Sequence, residues 1–82
     1  MKIVVVPFVL AEKGEDCPAT YEEIDAATTC QDVCDSLGIP LVSNLNKFKD
    51  GNSCYQAGNG KCRQDGAQNP LNVYLVCCHQ CK

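Results

Sequence analysis

The sequence has no tryptophan, one histidine and one methionine, with only two phenylalanines and three tyrosines in 82 residues. So few large side chains make a thin core. A domain of this size buries roughly 60–65% of its unfolded surface, and chain entropy offsets most of the gain. An excess of positive charge is also missing. Seven Lys and Arg against ten Asp and Glu leave a net charge of −3, which argues against a nucleic-acid binder or a membrane-lytic peptide. No run of about 18 apolar residues occurs, so no transmembrane helix is expected. Asn-x-Ser/Thr glycosylation sites are absent. The lone histidine, His79, would have to serve any Ser–His or Cys–His mechanism. It stands among cysteines, where an exposed surface residue is the ordinary outcome. Neither catalysis nor a cofactor is expected.

Cysteine, by contrast, is abundant: Cys17, Cys30, Cys34, Cys54, Cys62, Cys77, Cys78 and Cys81 make eight. That density in a short chain points to a single disulfide-stapled domain over residues 1–82. Four disulfides at about 2–4 kcal/mol each would make up what the small core lacks. An even count permits complete pairing, in roughly 105 connectivities. Disulfides persist in oxidising compartments, so the protein is expected to be secreted and extracellular.

The expected elements follow from local pattern. Met1-Lys2 and the apolar stretch to Ala11 read either as a leader remnant or, in preference, as a β-branched strand. Pro7 places that strand at a sheet edge, because proline cannot donate to a ladder. Glu12–Cys17 is a charged loop. Thr20 with Glu23 forms a T-x-x-E capping box, and Ile24, Ala27, Cys30, Cys34 and Leu37 follow at helical spacing. Gly38, Ile39 and Pro40 supply a Schellman stop, so a helix is expected over Tyr21–Leu37. Leu41–Leu45 reads as a short strand, Asp50-Gly51 as a turn, and Ser53–Tyr55 as a second arm. The Ala57–Gly60 and Gln64–Ala67 stretches are turns, and Asn69-Pro70 is a break. Leu71–Cys77 is the clearest strand. The fold class is therefore α+β: a small disulfide-rich α/β sandwich with one long helix on three or four strands.

Cys30 and Cys34 project from one helix face about a turn apart. Both are expected to staple the helix to the final strand. One of Cys77 and Cys78 must face away, toward Cys17 or the Cys54/Cys62 loop. A zinc site from Cys78, Cys81, His79, Cys30 and Cys34 has the right ligand types, but it leaves four cysteines over, and the expectation is no metal. The C-x-x-C pair Cys78/Cys81 lacks the following helix that would lower a thiol pKa. Charge is segregated: residues 1–40 carry eight acids and two bases, residues 41–82 two acids and five bases.

Two family resemblances accompany this reading. The helical Cys-x-x-x-Cys with cysteines on a closing strand resembles the cystine-stabilised αβ scaffold of defensins, macins and scorpion-type toxins. It implies an antimicrobial or ion-channel role. The order of elements (apolar strand, acidic helix, hairpin, final strand, eight cysteines) resembles the killer-toxin-type α/β sandwich of smut-fungus toxins and secreted fungal effectors. That resemblance covers more of the chain, and it implies a toxin-like virulence or interaction factor that binds an unknown host or competitor protein or a cell-surface target. Nucleic acid is not an expected partner, and the chain is expected to be a monomer. The expected contact face is Lys47, Phe48, Lys49, Tyr55, Lys61 and Arg63, with Phe48 either an exposed anchor or a core residue. An intracellular zinc module is the remaining alternative.

Overall fold

One six-residue strand organises the molecule. The computed structural model describes residues 7–66 and 71–79. The strand expected from Ile3 therefore lies partly outside them, as do the Asn69-Pro70 break and Cys81. The elements are β1 (Phe8–Leu10), β2 (Tyr21–Glu23), α1 (Ala27–Ser36), a 3-10 turn (Leu45–Lys47), β3 (Tyr55–Gln56), β4 (Cys62–Arg63) and β5 (Tyr74–His79). All five strands join one antiparallel sheet. Among the described residues the fold is α+β with one helix, as expected, although the strands number five and the helix is short.

β5 is paired along both edges. Phe8–Leu10 lies opposite Val76–Cys78, and the pairing is extended by Ala11 N–H to Leu75 O (2.8 Å) and His79 N–H to Pro7 O (2.8 Å). Pro7 thus contributes only its carbonyl, and β1 is an edge strand. On the other side β2 pairs with Cys77–His79 and β3 with Tyr74–Leu75. The alternation of β5 then sorts its side chains. Val76 and Cys78 join the buried cluster under the helix, while Cys77 points to the opposite face and is bonded to Cys17.

The helix begins six residues later than its local pattern predicts. Thr20 has φ 72°, and Tyr21–Glu23 is strand. The T-x-x-E box does not form, because pairing with β5 takes the residues that would have made the first turn. The cap comes from elsewhere. Asp50 Oδ1 accepts the Ala27 N–H at 2.6 Å, and Gly51 N–H donates to Asp25 O at 2.7 Å, so the expected Asp50-Gly51 turn docks on the helix start. The stop is the expected one. Gly38 has φ +76°, Ile39 N–H reaches Cys34 O and Gly38 N–H reaches Asp35 O, which is the Schellman pair.

The Leu41–Leu45 strand is not formed. That segment contributes a parallel bridge at Leu41 and then a 3-10 turn capped by Asn44. It nevertheless covers the outer edge of β4: Cys62 N–H donates to Pro40 O, Val42 N–H to Cys62 O, Gln64 N–H to Lys47 O and Lys49 N–H to Gln64 O. An edge closed in this way offers no template for a foreign strand. The Ala57–Gly60 turn joins β3 to β4, with Gly60 at φ +86°.

The core cluster contains Ile24, Val33, Ile39, Phe48, Val76 and five cysteines, Cys30, Cys34, Cys54, Cys62 and Cys78. Sulfur fills the volume that larger aromatic residues occupy in bigger domains.

Candidate functional site

Strand β4 and the segment beside it hold most of the residues expected to make contact. Inward and outward positions alternate. Phe48, Cys62 and Gln64 point into the core, while Lys47, Lys49 and Lys61 are exposed and Arg63 is half-buried. The bridge Phe48↔Gln64 sets Lys47 and Lys49 beside β4, so four cations line one strip. Two members of the expected face are corrected. Phe48 is 8% exposed and Tyr55 2% exposed; both are structural, and neither can be a surface anchor. Phe48 is drawn inward by its bridge to the core-facing Gln64.

Arg63 is committed to a partner. Tyr55 and Arg63 are directly opposed on β3 and β4, and Asp65 lies between their side chains. Tyr55 Oη donates to Asp65 Oδ1 at 2.6 Å, and Arg63 Nε donates to Asp65 Oδ2 at 3.0 Å. Burial, followed by the hydrogen bond and the negative charge of Asp65, pushes the Tyr55 hydroxyl well above the usual tyrosine range. The hydrogen bond to Asp65 raises Arg63 in turn. Tyr55 and Arg63 were expected at the surface as part of the basic hairpin face; Asp65, in a stretch that reads as a turn, is what ties them together.

The cysteines pair differently from expectation. Cys30 joins Cys54, just before β3, and Cys34 joins Cys62 on β4. The helix is thus stapled to the hairpin and not to the final strand. Both helical sulfurs face inward as expected. Cys77 is turned to the other face toward Cys17, and Cys78, packed under the helix, is itself disulfide-bonded. No described cysteine is free.

The two helix–hairpin disulfides lie against each other. The sulfurs of Cys30, Cys34, Cys54 and Cys62 are all within 4.8 Å of one another, and all four residues are fully buried. This is a different group from the zinc set weighed on sequence. His79 packs edge-on against Tyr21 with ring centroids 5.3 Å apart, and Cys81 is outside the described residues. The C-x3-C spacing in the helix was visible in the sequence; the convergence of Cys54 and Cys62 on it depends on the hairpin. Among the described residues, no helix is long and apolar enough to cross a membrane.

No protein-family model matches the chain, and searches of curated proteins and of solved structures find no match.

Proposed function

We propose that the protein is a secreted binding module of the effector or toxin-like kind, an α/β sandwich of the killer-toxin type that acts by contact and not by catalysis. The observation that carries this reading is a strip of exposed cations, Lys47, Lys49 and Lys61, fixed to a hairpin that two disulfides tie to the helix. A cross-linked scaffold presents such groups at low ordering cost, which favours recognition of an acidic partner surface. An extracellular location agrees with three disulfides closing separations of 60, 24 and 28 residues and with the persistence of such bonds outside the cytosol.

The test is binding of the labelled, fully oxidised protein to intact cells and to an immobilised acidic polysaccharide. The variant K47E/K49E/K61E is compared with wild type. Arg63 is left in place because it holds Asp65. Saturable binding weakened about tenfold or more, with circular dichroism and melting temperature unchanged, is the expected result. Equal binding by the variant removes the cationic face from the proposal. Leakage of dye from vesicles at similar concentrations would instead favour the cystine-stabilised antimicrobial class.

A further inference from the structure

The arrangement of the two helix–hairpin disulfides is closer than stapling requires. Two bonds could tie α1 to the hairpin from positions a turn apart with their sulfurs well separated. Here sulfurs that are not bonded to each other stand 3.9 Å apart for Cys30 and Cys62, 3.7 Å for Cys34 and Cys54, and 3.8 Å for Cys54 and Cys62. In a tetrahedral tetrathiolate with metal–sulfur bonds of about 2.3 Å, the sulfur–sulfur edge is about 3.8 Å. Three of the six sulfur–sulfur distances therefore already match the edges of that tetrahedron.

We propose that Cys30, Cys34, Cys54 and Cys62, once reduced, form a buried site for one thiophilic divalent cation of the zinc type. The chemistry balances as two steps. Two equivalents of a dithiol reductant deliver four electrons and four protons to the two disulfides, giving four thiols and two oxidised, cyclic dithiols. The metal ion then displaces the four thiol protons and is held by four thiolates. The paired cysteines swing apart from bonding distance to the tetrahedral edge, while the three non-bonded distances of 3.7–3.9 Å need little change.

Three features of the chain fit this donor set. Cys30 and Cys34 are separated by three residues, within the ligand spacing common in structural zinc sites. The other two ligands come from the ends of a short hairpin, Cys54 before β3 and Cys62 on β4. All four are fully buried, so a bound ion would be held by sulfur alone, out of contact with water. The metal would join the same elements as the disulfides do, helix to hairpin, so the fold has two interchangeable clasps that depend on redox state. The Cys17–Cys77 bond lies on the other face of β5 and takes no part.

The experiment uses the full 82-residue chain, reduced with a dithiol, desalted without oxygen and titrated with Co2+ as the spectroscopic probe. One equivalent should produce the visible absorption of a tetrahedral tetrathiolate, displaced by Zn2+, with four protons released per metal. The helical circular dichroism should persist with metal and fall on chelation. Cys34→Ser or Cys62→Ser should abolish the four-sulfur spectrum. A chain with both Cys17→Ser and Cys77→Ser, and a separate Cys78→Ser chain, should keep it. Absence of the spectrum in the reduced wild type, whether that chain is folded or unfolded, overturns the proposal. So does a spectrum that survives Cys34→Ser or disappears with Cys78→Ser.

Discussion

Gln64 offers the sharpest test of how the core is held together. Its side chain is 0% exposed, and its amide nitrogen donates to Ile24 O at 3.2 Å and to Asn52 O at 2.8 Å. The first carbonyl directly follows β2 and the second belongs to the loop that caps the helix, so one amide group holds three segments. The change Gln64→Glu keeps the shape and replaces the donating NH2 by an oxygen aimed at two carbonyls. Ile24 O still accepts the Cys54 N–H at 3.2 Å, and a neutral carboxyl can offer its one O–H to Asn52 O, so it is the ionised form that orphans Asn52 O, at about 1–3 kcal/mol for a buried acceptor.

Ionisation adds a second cost with a definite sign. A carboxylate buried without donors has its folded-state pKa raised, by as much as about 3–5 units for a fully buried group. The unfolded chain titrates near about 4.3. Below that pH both states are protonated and the added cost vanishes. Above it the cost grows by about 1.4 kcal/mol per pH unit until the folded pKa is passed, so that by pH 7 it can reach about 3.7 kcal/mol. Chemical unfolding followed by circular dichroism at pH 4, 5.5 and 7 measures this directly, as the difference between wild type and variant at each pH. Gln64→Met serves as the uncharged control; it should cost about 1–3 kcal/mol at every pH. A Gln64→Glu penalty that is the same at pH 4 and pH 7 would refute the reasoning, since the side chain would then have to be reaching water.

Three further outcomes are expected. Replacing Cys17 and Cys77 together by Ser opens a separation of 60 residues; chain entropy sets the loss at about 4 kcal/mol, seen as a lower unfolding midpoint with an increased m-value. Asp50→Ala removes the acceptor of the Ala27 N–H and should cost about 1 kcal/mol by denaturant titration, with a frayed first helical turn. Tyr55 has its folded pKa raised, so the stability it contributes is intact below about pH 10 and is lost as pH rises beyond that. Alkaline titration should therefore couple its phenolate absorbance to unfolding, and Tyr55→Phe should remove that component while costing about 1–3 kcal/mol.

What could be read from the sequence was whatever is settled within a few residues. The helix stop at Gly38 needs only Cys34, Asp35 and Ile39, and it formed as expected. The Ala57–Gly60 turn and the edge position of β1, which directly follows Pro7, are local in the same sense. The helix start was misread because two distant partners decide it: β5 pairs with Tyr21–Glu23, and Asp50, 23 residues away, supplies the cap. The same holds at the candidate site. The exposure of Lys47 and Lys49 agrees with the contact face read from the sequence, whereas the burial of Phe48 follows from its bridge to Gln64 and that of Tyr55 from Asp65 folding back beside it, both contacts beyond local pattern.

The sulfur-rich core links these observations. Half of the residues in the buried cluster are cysteines, so oxidation state and core packing are one variable in this protein. The other five members, Ile24, Val33, Ile39, Phe48 and Val76, make a small apolar core, of the kind that relies on cross-links in a chain of this length. The clasp between α1 and the hairpin is therefore central to the fold, and on the proposal above the four sulfurs that meet there provide it in two ways. In an oxidising compartment the clasp is covalent and the cationic strip beside β4 is held rigid. Under reduction the fold, and with it that strip, would persist only with a metal ion in the same place.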